Sequence, residues 1–223
     1  MKEKMYRFAP AILFSGSLIL CISIFFIVKY ANINLKHPIH IAFITCQVIT
    51  SLICGISIRK LHDQVYIDTL TGLCNRKFFN EKLYKMKTTG PISLILLDLD
   101  DFKNINDTYG HLMGDSVLQQ FSEILKVITR KKDIIARWGG EEFAIILPGT
   151  SIEDACKIGN KIRLNVEKFI FEYENVTCNI TVSIGIASTN TKTNIGIEQF
   201  LKVTDEALYR AKEKKNYISA VIV

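Results

Sequence analysis

Three carboxylates, Asp98, Asp100 and Asp101, stand where an apolar run (ISLILLDL, residues 92–99) ends, and a second acidic pair, Glu141 and Glu142, directly follows Gly139 and Gly140. An isolated buried carboxylate is costly, so acids beside a dry strand need a partner. A divalent cation is one such partner, because hard metals take carboxylate and backbone oxygens. A solvated loop explains the first cluster equally well. Adjacent like charges in the second cluster repel unless a cation or water takes them up. Neighbouring side chains on a strand point to opposite faces, so one of the two glutamates can face the aspartates. The glycines let a phosphate approach the backbone closely. The combination suggests metal-assisted phosphoryl or nucleotidyl transfer.

These residues need elements to hold them. Residues 92–99 read as a strand buried on both faces. Residues 134–138 and 143–147 read as two short strands joined through the Gly139–Gly140 turn. Apolar residues at helical spacing predict helices over 75–87, 115–129, 152–171 and 199–214. Strict alternation over 176–187 predicts one strand, and residues 217–223 a terminal one. The order β-α-β-β-α-β-α-β suggests an α/β (α+β) sandwich in which a mostly antiparallel sheet is covered by helices.

The charge balance is +6, from 28 Lys and Arg against 22 Asp and Glu. Residues 1–58 hold one acid against five bases, and residues 59–223 hold 21 acids against 23 bases, so the basic excess belongs to the amino end. A nucleic-acid-binding reading therefore loses its main support. Residues 8–28 and 38–58 each lack Asp, Glu, Lys and Arg over 21 positions. As helices they would each reach about 31 Å, the thickness of a hydrocarbon core. Two transmembrane helices joined by a short loop are expected. Lys2, Lys4, Arg7, Arg59 and Lys60 flank one side and only Lys29 and Lys36 the other, which places both termini in the cytoplasm. The expected organisation is a membrane anchor (1–60), a connector (61–67) and a cytosolic domain (68–223). The six cysteines show neither a CxxC pair nor zinc spacing, and read as reduced, structural residues.

The stretch RWGGEEF (137–143) resembles the signature of GGDEF-domain diguanylate cyclases, in its GGEEF form. DTLTGLCNR (68–76), the run from Asp98 to Asp115, TVSIGIA (181–187) and DEALYRAK (205–212) are similar to further motifs of that family, in the same order. The resemblance covers residues 66–217 and leaves out the membrane segment. It implies a fold like nucleotide cyclases and polymerase palms, and condensation of two GTP into cyclic di-GMP plus pyrophosphate by two facing copies of the domain. Together with the two apolar runs and their basic flanks, it leads to the expectation of a multi-pass protein of the bacterial inner membrane with its catalytic domain in the cytoplasm. Two Mg²⁺ ions, with Mn²⁺ as a substitute, fall on Asp98, the carbonyl of Leu99 and Glu141, and Glu141 also matches a proton acceptor.

By the same resemblance Asn106 and Asp115 read guanine, Lys103 and Lys212 contact phosphate, the Phe102 and Lys103 N–H groups cradle it, and His111 lies near the nucleotide. Without the motifs, turn capping explains Asn106, helix-end charge matching explains Asp115, loop packing explains His111, and a solvated loop explains Lys103. Arg130 and Asp133 have the R-x-x-D spacing of the family's inhibitory product site; a basic helix end accounts for Arg130 as well. The chain departs from the pattern after Lys212, where Gly-Arg/Lys-Asn is expected and Lys215-Asn216-Tyr217 stands. Either the glycine is deleted and Lys215 takes the basic role, or Asn216 occupies the basic position. Two rival readings use the same residues: a domain that binds GTP or cyclic di-GMP without turnover, and a structural membrane scaffold.

Overall fold

The computed structural model describes residues 8–30, 38–86, 90–189 and 196–223. The chain divides into two compact units, Met1–Val65 and Tyr66–Val223. In the first, α1 (Ala9–Tyr30) and α2 (Pro38–Tyr66) are long apolar helices. Within α2 the stretch Ile44–Leu61 is long and apolar enough to cross a membrane, whereas the apolar stretch of α1, Pro10–Ser23, is shorter. Lys2, Lys4, Arg7 and Lys36, on which the orientation argument rests, lie outside the described residues. Residues 61–66, expected as connector, continue α2, since no Pro or Gly interrupts the helix there.

The second unit is built on a six-stranded mixed sheet. Its strands are β1 (Cys74–Asn75), β2 (Ile92–Leu99), β3 (Ile134–Gly139), β4 (Glu142–Pro148), β7 (Val182–Thr189) and β8 (Ile218–Ile222). Their spatial order is β1-β3-β4-β2-β7-β8. The three inner pairings are antiparallel and the two outer ones, β1 with β3 and β7 with β8, are parallel. β2 is central and buried along both faces from Leu94 to Leu99, as its unbroken apolar run requires.

Helices α5 (His111–Ile128) and α6 (Ile152–Lys168) cover one face of the sheet, where Val117, Phe121, Leu125, Ile162 and Val166 pack against Ile95, Leu97, Phe143 and Ile184. On the other face α3 (Arg76–Lys85) and α7 (Ile197–Lys212) bring Phe79, Leu83, Phe200 and Leu208 against Leu94, Leu96, Ala144 and Ile146. Local signals set the helix starts. The Asn75 side chain accepts from Phe78 N at 3.0 Å to open α3, and Ser151 accepts from Asp154 N to open α6.

Three expectations are corrected. The alternating run 176–187 is two strands, not one. β6 (Val176–Cys178) pairs with β5 (Phe171–Tyr173) in a separate two-stranded sheet, while β7 joins the main sheet. The alternation persists across residues 179–181 because buried Cys178, Ile180 and Val182 keep their spacing while the chain changes sheet. The helix expected over 152–171 stops at Lys168, freeing Phe171 for β5. The helix expected from 115 begins at His111, and a further helix, α4 (Phe102–Tyr109), precedes it. Asn, Asp and Thr in α4 weaken the helical signal there.

Gly185 lets α7 lie directly on β7. A Cβ there would stand 2.2 Å from Leu208 N and 2.6 Å from Thr204 O, both backbone atoms that cannot step aside. Gly185→Ala should destabilise the protein by at least ~1–3 kcal/mol, the usual range for overpacking. Thermal denaturation followed by circular dichroism would show it; an unchanged midpoint would contradict this packing.

Candidate active site

The carboxyl end of β2 meets the β3–β4 turn. Asp98 stands opposite Glu142 on one side and Ser183 on the other. Leu99 N donates to Glu141 O at 3.4 Å, which ties the strand end to the turn. The Asp98 side chain is buried and accepts from Lys212 Nζ at 2.6 Å. Burial pushes its carboxyl up to about 6; the Lys212 ammonium opposes the rise, and Glu141 and Glu142 add to it. Burial disfavours the charge on Lys212, but the Asp98 carboxylate and the two glutamates outweigh it and hold the ammonium above its ordinary value. Three carboxylates thus concentrate negative charge around one lysine.

The remaining aspartates serve other ends. Asp100 is buried and fully occupied. Thr181 Oγ1 and Ser183 Oγ each donate to it at 2.6 Å, and Asn216 N donates at 2.8 Å. It bolts β2, β7 and the approach to β8 together. Asp101 is exposed, adopts a left-handed backbone with φ 56°, and receives Lys215 Nζ at 2.7 and 2.8 Å.

Arg137 fixes the turn that carries Glu141. Its Nε and Nη2 donate to Gly140 O at 2.9 and 2.8 Å, and its Nη1 reaches Asp68 at 3.4 Å. A register shift between Arg137 and Gly139 places Trp138 against Phe79, with the Arg76 guanidinium 4.4 Å from the indole centre. Asp68 also accepts from Thr71 N and Thr71 Oγ1, at 2.9 and 2.7 Å. The segment at residues 68–73 therefore ties the start of the domain to the acidic turn.

The nucleoside-reading candidates lie on α4 and α5. Phe102 is buried in the core as the first residue of α4, and Lys103 beside it is exposed. Asn106 is half-buried because α5 offers a gap at Gly114: a Cβ there would stand 1.9 Å from Asn106 Oδ1. His111 and Asp115 are exposed in the first turns of α5. Asn106 and Asp115 thus belong to two helices that touch at Gly114, the residue directly before Asp115.

Arg130 and Asp133 are engaged with each other. Arg130 Nε and Nη2 donate to the two Asp133 oxygens at 3.1 and 3.0 Å, and Nη2 also donates to Thr150 Oγ1 at 2.6 Å. At the departure from the family pattern, Lys215 and Asn216 both have left-handed backbones, φ 52° and 46°. Lys215 thus holds a conformation that glycine adopts freely. Asn216 holds Arg163 Nη1 at 3.1 Å and donates to Glu167 Oε1 at 2.7 Å.

Among the described residues no group of three or more His, Cys, Asp and Glu side chains is arranged around a metal position. Asp98, Glu141 and the Leu99 carbonyl nevertheless fit Mg²⁺, which is commonly held by one or two carboxylates with substrate phosphates completing its shell. The charge crowded around Asp98 is the physical reason a cation would settle there. Sequence reasoning missed Arg137, Gly114 and the contact of Lys212 with Asp98. A glycine inside a helical pattern was the available signal for the second.

The family model described as "Diguanylate cyclase, GGDEF domain" matches residues 65–217. The chain belongs to the GGDEF diguanylate cyclase family. The response regulator PleD of Caulobacter vibrioides is 41% identical over 152 residues, covering 65% of this chain and 33% of PleD. Diguanylate cyclase A of Treponema denticola is 36% identical over 162 residues, covering 69% of this chain and 43% of that protein. The chain thus spans less than half the length of these curated relatives. The coiled coil and GGDEF domain of DgcB from Caulobacter crescentus, solved in complex with c-di-GMP, superimposes with a TM-score of 0.74 at 26% identity, covering 81% of this chain and 98% of that one.

Asp68 gives this GGDEF domain a pH signature. Burial raises its carboxyl, but Thr71 and Arg137 outweigh burial and hold it below the usual carboxylate range. A lowered carboxyl stabilises the fold above its unfolded value near 3.8, and the contribution disappears as pH falls through the folded value. Asp68→Asn should therefore cost no more than about 1 kcal/mol at neutral pH, since the group is partly solvated. The gap to wild type should close below about pH 4. Urea titrations at several pH values measure it; a gap that widens in acid would refute the assignment.

Proposed function

We propose that the chain is a membrane-anchored, Mg²⁺-dependent diguanylate cyclase of the GGEEF form, acting as a homodimer. The observation that carries this reading is the meeting of Asp98, Glu141 and Lys212 at one strand end, directly before the helix bearing Lys103 and Asn106. Relatives named as diguanylate cyclases support it. Each 3′-oxygen forms a bond to the α-phosphorus of the other GTP. The bond from that phosphorus to its bridging oxygen breaks, pyrophosphate leaves, and the hydroxyl proton passes to Glu141. Two such steps close the ring of cyclic di-GMP.

Asp98, the Leu99 carbonyl and Glu141 would hold two Mg²⁺ ions, or Mn²⁺, which supply positive charge to the phosphates. Asp115 accepts from guanine N1–H and the 2-amino group, and Asn106 donates and accepts beside it. Lys103, Lys212 and the N–H groups of Phe102 and Lys103 hold the triphosphate; His111 lies beside the nucleotide. One domain binds one GTP, so two loaded copies must face each other.

The apolar helices anchor the protein in the bacterial inner membrane as a two-span hairpin (8–28 and 38–58), with the catalytic domain in the cytoplasm where GTP is available. Arg130 and Asp133 form an inhibitory site for cyclic di-GMP. Product must compete with Asp133 for the Arg130 guanidinium, an exchange of one charge-assisted partner for another.

The full chain in detergent, incubated with GTP and Mg²⁺, should form cyclic di-GMP detectable by mass spectrometry; GTP binding without product would favour a sensing module. Glu141→Gln keeps the shape and removes one negative charge, and should lower turnover by roughly 10²-fold or more. Near-normal turnover would remove Glu141 from the metal set. Arg130→Ala should weaken product inhibition about tenfold or more, since each charge-assisted hydrogen bond is worth about 1.5–3 kcal/mol. Its turnover without added product should stay near wild type; unchanged inhibition would assign Arg130 to the helix end alone.

A further inference from the structure

We infer that Lys215 is a positioning residue that draws the Asp101 carboxylate away from the amino end of α4 and keeps that end open to an anionic ligand. Asp101 occupies the N-cap of α4, where an aspartate side chain ordinarily accepts from the backbone N–H groups of the first turn. Here it makes no such bond. Both its oxygens are instead taken by Lys215 Nζ, at 2.7 and 2.8 Å. The pair bridges 114 positions of chain, from the turn after β2 to the turn before β8. Both residues have left-handed backbones, so the contact joins two unusual turns.

Stability does not explain the pair. Both side chains are more than half exposed, at 57% and 52%, and exposed ion pairs contribute little. Its effect lies in where it places charge. A free Asp101 carboxylate would leave an unneutralised negative charge beside the amino end of α4, where a triphosphate is to bind. Lys215 retracts that carboxylate and neutralises it. The Lys215 side chain is the chain's own departure from the family pattern, and it acts on Asp101 rather than standing in for an arginine on phosphate.

This inference rests on the nucleotide-binding reading, and its test is kept separate from turnover. The full chain in detergent is titrated with a GTP analogue carrying a methylene bridge between the α- and β-phosphorus, in the presence of Mg²⁺. Lys215→Gly suits the test because glycine tolerates the left-handed backbone, and a thermal melt checks that the variant is folded. Its affinity should fall about fivefold, the scale of one solvent-screened charge acting on a multiply charged ligand. Lys215→Arg should retain wild-type affinity. Lys215→Gly combined with Asp101→Asn should recover to within about twofold of wild type, because the carboxylate charge that Lys215 restrains is gone. A double variant as weak as Lys215→Gly alone would make Lys215 a direct phosphate ligand and overturn the inference, as would unchanged binding in Lys215→Gly. Absence of cyclic di-GMP with binding intact would overturn the cyclase reading while leaving this one to be judged on affinity.

Discussion

The fold turns on how carboxylates are kept at the dry end of a strand. β2 is buried on both faces, and at its end Asp98 and Asp100 are each only 7% exposed. A charge in that position destabilises the fold unless something answers it. The two residues are answered differently. Asp100 receives three hydrogen bonds from Thr181, Ser183 and Asn216, which leave it saturated. Asp98 receives one lysine and faces two glutamates, which leave it short of positive charge. Saturation makes Asp100 a bolt between strands. The deficit makes Asp98 the place where an added cation does the most electrostatic work.

The acidic turn needs its own restraint, because Glu141 lies outside the sheet ladder, between β3 and β4. Arg137 supplies it with two donors to Gly140 O, and Asp68 holds Arg137 in turn. At the bulge Trp138 packs edge-to-face against Phe79 and is covered by Arg76. Position of the carboxylate is thereby set by packing on one face and by a hydrogen-bonded chain on the other. The segment at 68–73 also meets α5 through Ser122 and Lys126, which both donate to Thr71 O.

Much of this was legible in the residues. An apolar octet with acids at its end marked β2 and Asp98, and the Gly-Gly-Glu-Glu run marked the hairpin beside it. What stayed hidden were relations between distant positions. Asp98, Asp100 and Asp101 look alike in sequence, yet their partners are Lys212, Thr181 with Ser183, and Lys215, all over 80 positions away. Periodicity could not separate β6 from β7, because alternation survives the switch between sheets. Helix α4 was missed because its Asn, Asp and Thr residues favour turns, whereas burial of Phe102, partial burial of Ile105 and close packing on α5 at Gly114 hold it as a helix.

The turn at 215–216 shows how such relations compensate one another. Two consecutive residues without glycine in the left-handed region cost roughly 1–2 kcal/mol each. Asparagine tolerates that region better than lysine does, yet the two are held by different means. Asn216 is fixed by its backbone bond to Asp100 and by side-chain bonds with Arg163 and Glu167 on α6. The bonds to Asp100 and Arg163 are partly buried, and the one to Glu167 is exposed. Lys215 has a backbone bond from its N–H to Ala211 O at 3.1 Å, and its side chain makes an exposed ion pair with Asp101, which offsets little of the strain. Its conformation is therefore imposed by Asn216 and the start of β8 more than it is chosen by the lysine itself. A turn bolted by the neighbour of Lys215 is what allows an exposed ammonium to be aimed at one carboxylate rather than to wander in solvent.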